Sequence, residues 1–282
     1  MRPLDTLMRE KLNAYLENIG NQLDADPLST VGPIMADRDS WIRDAIEMFS
    51  ERHDRIVIIL ETPGGIVEVV ERIVSVIRNF YGEVIVIVPT QAMSAGTVLA
   101  LSADRIMMNY FSRLGPIDPQ IVKDGKLVPA LSYLNQYEKL REISARGELT
   151  TAEYALLKNL DLGELYQFEQ ARELSIELLV RWLSQYKFKD WVKTKSRGIS
   201  VTEEMKFNRA KEIAQRLNDT NRWHSHARGI AIDTLTSELR LKIEDYSEDK
   251  ALNESITNYC NLLGDYMERQ NYTSFVHTKE YF

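Results

Sequence analysis

The sequence predicts an α/β fold with a mainly parallel sheet built from strand–helix–strand units. Two apolar runs, Arg55 to Leu60 and Val84 to Val88, show no polar alternation, as expected of parallel strands that are buried on both faces. Between them lie the turn Thr62-Pro63-Gly64-Gly65 and a segment whose apolar residues recur at helical spacing. Right-handed crossovers would place these strands side by side in one sheet.

A second unit follows directly. Ser94-Ala95-Gly96 comes after the second strand, a short apolar helix runs to Leu101, and a third strand is predicted at Arg105 to Met108. Both glycine-containing turns would therefore lie at the carboxyl ends of adjacent parallel strands, where open α/β sheets build their sites.

The chemistry that suits these two turns is acyl transfer. Gly64 and Gly65 permit positive φ and a close backbone approach, so an amide there can point into a cleft. Ser94 stands at a helix start, which leaves the N–H of Ala95 free to donate. Two such donors form an oxyanion hole beside a serine nucleophile. Taken separately, the features are also compatible with a plain turn and a plain helix cap.

The motifs together carry a family resemblance. TPGG, then MSAG about thirty residues later, then SADRI and LGPIDPQ resemble the Clp-protease/crotonase superfamily, and within it the serine dehydrogenase proteinase family, related to signal peptide peptidase A. The resemblance is dense over residues 56–120 and thinner to about Asp245. It implies a Clp-protease/crotonase-like sheet with a largely helical C-terminal half and a serine peptidase activity. It also implies Ser94 as nucleophile, the backbone of Gly65 and Ala95 as oxyanion donors, and a homo-oligomer.

The general base is left open by the sequence. The place of the Clp-protease histidine, near Ile117 and Asp118, holds no His, and no Lys lies in a motif that matches signal peptide peptidases. The segment from His226 to Ile230 fits a family pattern of His followed three residues later by Pro or Gly and then Ile. His226 is therefore the leading base candidate, and a structural histidine is the alternative. Asp118 is a candidate acid–base or substrate-positioning residue, or else a turn cap. A lysine from the helical half is the remaining candidate for the base.

The remaining segments are predicted to be mostly helical. Asp26-Pro27 and Gly32-Pro33 mark a loop, and capping-box patterns start helices at Thr150 and at Ser200. The basic stretch that begins at Lys187 is typical of a solvated surface. The predicted domains are an N-terminal helix and loop (1–36), a peptidase domain with a helical layer from about 130 (37–245), and a C-terminal helical tail (246–282).

Composition limits the classes of function. A net charge of −7 argues against nucleic-acid binding, and the single Cys260 suggests a reducing, cytoplasmic compartment. No apolar run has the length of a membrane span, and no phosphate-binding loop motif is present, so any ATP-driven unfolding of substrate would come from another protein. We expect a peptide or protein substrate, no cofactor and no metal, because His224 and His226 lack neighbouring ligands.

Three functions remain compatible with the sequence. The first is a serine peptidase without its own ATPase. The second is a crotonase-type enzyme that stabilises the enolate of an acyl-coenzyme A, although such an enzyme has no need of Ser94. The third is a non-catalytic assembly protein that keeps the fold, which the missing Clp-type His and Lys favour.

Overall fold

The computed structural model describes residues 3–117, 120–123, 126–194 and 198–282. Its centre is a six-stranded sheet in the order β10-β1-β2-β3-β5-β9, in which only β10 is antiparallel to its neighbour. The predicted mainly parallel α/β fold is thereby confirmed. The strands are β1 (Asp26–Val31), β2 (Arg55–Glu61), β3 (Glu83–Ile87), β4 (Gln91–Ala92), β5 (Arg105–Met108), β6 (Arg113–Leu114), β7 (Gln120–Lys123), β8 (Lys126–Pro129), β9 (Glu244–Asp245) and β10 (Phe275–His277).

Helices cover both faces of this sheet and extend beyond it. A π-helical turn at Leu183–Lys187 follows α7, and a short 3-10 helix at Tyr246–Glu248 precedes α11. The helices are α1 (Pro3–Leu23), α2 (Arg38–Glu47), α3 (Val67–Phe80), α4 (Ala95–Leu101), α5 (Ala130–Ala145), α6 (Thr151–Lys158), α7 (Leu162–Trp182), α8 (Glu203–Asn218), α9 (Thr220–Trp223), α10 (Ile232–Ser237) and α11 (Lys250–Gln270).

The side chains of strand β2 show that the sheet is covered by helices on both faces. Ile56 and Ile58 lie in a cluster with side chains of α2, α3, α7 and α8, whereas Val57 and Ile59 lie in a second cluster with side chains of α1 and α11. All four are at most 1% exposed. Because successive side chains of a strand point to opposite faces, a continuous apolar run is what a sheet covered on both sides requires.

The prediction of a loop between Asp26 and Pro33 is wrong, because this segment contains the strand β1. It pairs in parallel with β2 from Asp26 opposite Ile56 to Val31 opposite Glu61. Pro27, which has no N–H to donate, lies where the other neighbour, β10, does not reach, since β10 begins to pair only at Ser29. The proline therefore lies opposite Val57 of β2 on one side and has no partner in β10 on the other.

Two predicted helix starts have different outcomes. The capping box at Thr150 is confirmed: the Thr150 side chain accepts the amide of Glu153 at 3.2 Å, and the Glu153 carboxylate accepts the amide of Thr150 at 2.9 Å. The start predicted at Ser200 is wrong by two residues. The cap is Thr202, whose hydroxyl accepts the amide of Met205 at 3.2 Å.

Candidate active site

A small second layer lies beyond the carboxyl ends of β2 and β3. Its strands β4 and β6 pair in parallel, and single bridges join Thr62 to Ala92 and Leu114 to Ile230. A further bridge joins Ile34 to Gly65. The segments that carry the glycine turn, Ser94 and the His226 region thus adjoin one another in this layer.

Ser94 sits at a strained turn between β4 and α4. Its φ of 52° and ψ of −119° are unusual for a residue with a side chain, and such conformations cost about 1–3 kcal/mol. The turn is held by its neighbours: Met93 donates its amide to the Thr62 carbonyl at 3.0 Å, and Thr97 donates its amide to the Ser94 carbonyl at 2.9 Å. The hydroxyl of Ser94 is therefore presented from a fixed backbone, and the residue is half-buried.

The glycine turn lies against Ser94. Gly64 has a φ of 105°, and a Cβ on Gly64 would lie 2.8 Å from the Cβ of Ser94 and 2.7 Å from the carbonyl oxygen of Met93. Gly65 has a φ of 150°, and a Cβ there would lie 2.1 Å from the carbonyl oxygen of Ile34. Both positions require glycine because of conformation and because of space.

Backbone hydrogen bonds from Ile34 fix this turn on both sides. The amide of Ile34 donates to the carbonyl of Gly64 at 2.8 Å, and the amide of Ile66 donates to the carbonyl of Ile34 at 2.8 Å. The carbonyl of Gly64 and the amide of Ile66, on either side of Gly65, are thereby hydrogen-bonded. Among the described residues, the N–H of Gly65 itself donates no hydrogen bond. The turn is consequently a rigid element and not a free loop.

Two of the three backbone amides at the glycine turn and Ser94 have no hydrogen-bond acceptor in the described part of the chain. Among the described residues, neither the N–H of Gly65 nor that of Ala95 donates a hydrogen bond. The N–H of Gly64 donates to the hydroxyl oxygen of Thr62 at 3.0 Å. Gly64 therefore contributes space beside Ser94, whereas Gly65 and Ala95 offer uncommitted donors.

Thr97, for which no role was predicted from the sequence, is fully buried. Its hydroxyl oxygen lies 2.8 Å from the Ala92 carbonyl and 2.9 Å from the Gly115 carbonyl, and it accepts the amide of Gly115 at 2.8 Å. This single side chain links α4 to both ends of the small layer. The only signal in the sequence was a threonine in the first turn after Ser94.

No candidate base from the sequence is seen hydrogen-bonded to Ser94 in the described part of the chain. The hydroxyl of Ser94 makes no hydrogen bond with any residue that the structure describes. His226 is partly exposed and lies four residues before Ile230, whose amide donates to the carbonyl of Leu114 at 2.7 Å. Its segment therefore reaches the small layer without a hydrogen bond from His226 to Ser94. Asp118 lies outside the described residues.

Lys187 differs from the solvated surface that the sequence predicts. Its ammonium group donates to the carbonyl of Asp104 at 3.2 Å, and burial lowers its pKa to about 8. Asp104 immediately precedes β5, so this lysine lies at the amino-terminal edge of the sheet. Ser94 follows the carboxyl end of β3, at the opposite edge, and Lys187 is thus excluded as its base.

Residues 34–202 match the family model of the ClpP-like SDH-type serine proteinases, which is more than half of the chain. The chain belongs to this family. The matched range includes the glycine turn, Ser94 and Ala95, and it ends before His226. The predicted family is confirmed.

Two relatives are uncharacterized proteins of Methanocaldococcus jannaschii. MJ1495 is 33% identical over 115 residues, 41% of this chain and 36% of that protein. MJ0137 is 34% identical over 146 residues, 46% of this chain and 48% of that protein. The chain thus spans less than half the length of either relative.

A solved structure of a membrane-bound stomatin-specific protease is also similar to this chain. The two share 19% identity with a TM-score of 0.33, over 62% of this chain and 90% of the other. In the residues described for the present chain, no helix combines the length and the hydrophobicity needed to cross a bilayer.

Proposed function

We propose that this chain is a serine endopeptidase in which Ser94 attacks the scissile carbonyl and the amides of Gly65 and Ala95 bind the resulting oxyanion. The observation that carries the proposal is the contact between the two turns. Gly64 leaves open the space beside the Cβ of Ser94, and the two uncommitted amides lie on the flanking residues. Membership of a serine proteinase family supports the same assignment.

The reaction follows from these groups. The Ser94 hydroxyl oxygen forms a bond to the carbonyl carbon while its proton passes to a base, and the carbonyl electron pair moves onto oxygen. Two preorganised amides stabilise that charge without reorganisation, and each is worth about a hundred- to a thousandfold in rate. Collapse releases the amine with a proton from the base and leaves an acyl-enzyme, which water hydrolyses.

His226 is our proposed base. Its support is the chain path: the bridge between Leu114 and Ile230 brings its segment to the layer that carries Ser94. Substrate binding would have to draw the imidazole within reach of the hydroxyl, as catalytic hydrogen bonds often tighten only in the complex. Asp118, which follows the strand β6, stays proposed as an acid–base or substrate-positioning residue.

We propose peptides or unfolded protein segments as substrates, with no ATP requirement in this chain. We also propose a homo-oligomer. The helix α6 has no buried residue, and its Tyr154 and Leu156 are 60% and 63% exposed, which leaves an apolar surface for another copy. The cytoplasmic location, inferred from a single cysteine, stays a prediction.

One observation favours a second candidate, a protein that keeps the fold without peptidase activity. No described residue accepts the hydrogen of the Ser94 hydroxyl. Hydrolysis of an unstructured protein such as casein decides between the two. We expect turnover by the wild type and by the matched control Ser144→Ala, on the exposed face of α5, and none by Ser94→Ala. Equal turnover by all three would overturn the peptidase proposal.

A further inference from the structure

A crevice of about 410 Å³ lies between α8 and the chain around α9 and α10. Four guanidinium groups face two carboxylates in it, so the crevice has two positive charges in excess although the whole chain has a net charge of −7. None of the residues proposed for catalysis contributes to it. Its lining residues are Arg209, Glu212, Arg216, Arg222, Ser237, Glu238 and Arg240.

The two glutamates satisfy three of the arginines. Arg209 and Arg216 share the carboxylate of Glu212, the second at 2.8 Å, and Arg222 pairs with Glu238. These ion pairs hold the guanidinium groups in place along one wall. They do not balance the charge, since two carboxylates serve three cations.

Arg240 is the fourth arginine, and it has no such partner. In the part of the chain that the structure describes, its side chain makes no hydrogen bond or ion pair. It is exposed, and its φ of 48° is a left-handed conformation that glycine usually adopts just after a helix. A guanidinium group with all its donors uncommitted therefore stands at the crevice.

We propose that this crevice binds a compact phosphate-type polyanion such as pyrophosphate. Guanidinium groups match the oxygens of phosphate in a bidentate manner, and several of them converge here with an excess of positive charge. The lining residues include no aromatic or aliphatic side chain, so the site suits a small anion and not a nucleobase or an apolar tail. Arg240 supplies the uncommitted contact, and Arg216 and Arg222, which both bond to Glu238, line the same crevice.

Calorimetric titration with pyrophosphate at low ionic strength tests this proposal. We expect saturable binding at one site per chain, and weaker binding as salt is added, because exposed charges are screened. Arg240→Gly removes the guanidinium group and suits the left-handed backbone, so it should fold and bind at least about tenfold more weakly. Arg240→Lys keeps the positive charge but loses the planar guanidinium group, so its affinity for pyrophosphate should lie between those of the wild type and Arg240→Gly.

The matched control is Arg43→Ala, which removes an exposed arginine on α2 and should leave the affinity unchanged. Three results would overturn the proposal. They are the absence of saturable binding to the wild type, equal affinity of the Arg240→Gly and Arg43→Ala variants, and binding of citrate without binding of pyrophosphate.

Discussion

A Cβ at Gly64 would lie 2.8 Å from the Cβ of Ser94. The end of β2 and the start of α4 are therefore in direct contact, and only the missing side chain of glycine makes the contact possible. Because Gly64 also has a φ of 105°, any other residue would strain the turn even if space were available. The proposed nucleophile and the proposed oxyanion turn form one structural unit.

Replacing Gly64 with alanine should disable the site. The added methyl group would push the turn away from Ser94, so we expect turnover to fall by about a hundredfold or more, the effect of one lost oxyanion donor. The strained φ should also lower the free energy of unfolding by about 1–3 kcal/mol. Peptide hydrolysis and urea unfolding measure the two effects.

Gly264 offers the matched glycine control. It lies within α11, and a Cβ there would meet no atom within 4 Å. Gly264→Ala should raise the free energy of unfolding by about 0.5–1 kcal/mol, because alanine favours a helix over glycine, and should leave turnover unchanged. If Gly264→Ala impaired turnover as strongly as Gly64→Ala, the contact with Ser94 would not explain the effect.

Thr97→Val should separate the hydroxyl of this side chain from its volume. Valine leaves the amide of Gly115 without its acceptor in a fully buried place, which costs about 1–3 kcal/mol of stability. Because the hydroxyl ties α4 to the small layer, kcat should fall as well. Thr97→Ser keeps the hydroxyl and should retain most of the turnover. A Thr97→Val enzyme with wild-type kcat would show that the tie does not position Ser94.

His226→Ala should abolish turnover to about the same degree as Ser94→Ala, and the double variant should lose no more, because members of a catalytic unit are non-additive. His224→Ala is the control, since His224 is exposed and lies two residues away. Near-normal turnover by His226→Ala, with Ser94 still essential, would place the base elsewhere.

The stability of the protein should decrease as the pH falls below about 6.5, in part because of His277. Burial lowers the pKa of this imidazole from 6.5 to about 3, while its ring nitrogens bond to Tyr259 and Asn13 at 2.8 Å. Between these values the unfolded chain binds a proton that the folded chain does not, so stability rises with pH across this window.

The variant His277→Gln isolates this contribution. It should be less stable than the wild type at pH 7 and should lose less stability between pH 6.5 and pH 4, as measured by urea unfolding. His53, whose pKa is raised by its hydrogen bond to Asp26, acts in the opposite direction and is present in both proteins. Identical pH slopes for the two proteins would contradict the assignment.

Local patterns predicted the centre of the fold and the proposed nucleophile. Strand burial and turn conformation depend on neighbouring residues. Local sequence therefore sufficed to predict the strands β2 and β3 and the turns at Gly64 and Ser94. The strand β1 was missed because Pro27 disfavours a strand unless one side of it is left without a partner, as it is here on the side of β10.

Contacts between distant segments were beyond such patterns. The strand β10 joins β1 from the far end of the chain, and it pairs Ser29 with His277. The tie from Thr97 to Gly115 and the crevice at Arg240 likewise depend on how the chain returns to itself. The spacing of neighbouring residues does not predict these long-range contacts, because they form only in the tertiary fold.

Mass spectrometry after treatment with a fluorophosphonate probe tests whether Ser94 is an activated nucleophile. We expect one covalent adduct per chain, mapped to the peptide that contains Ser94. The adduct should be absent from Ser94→Ala and strongly reduced in Gly64→Ala, while Ser144→Ala should be labelled as the wild type is. An unlabelled wild-type protein, or an adduct that persists in Ser94→Ala, would show that Ser94 is not the activated nucleophile.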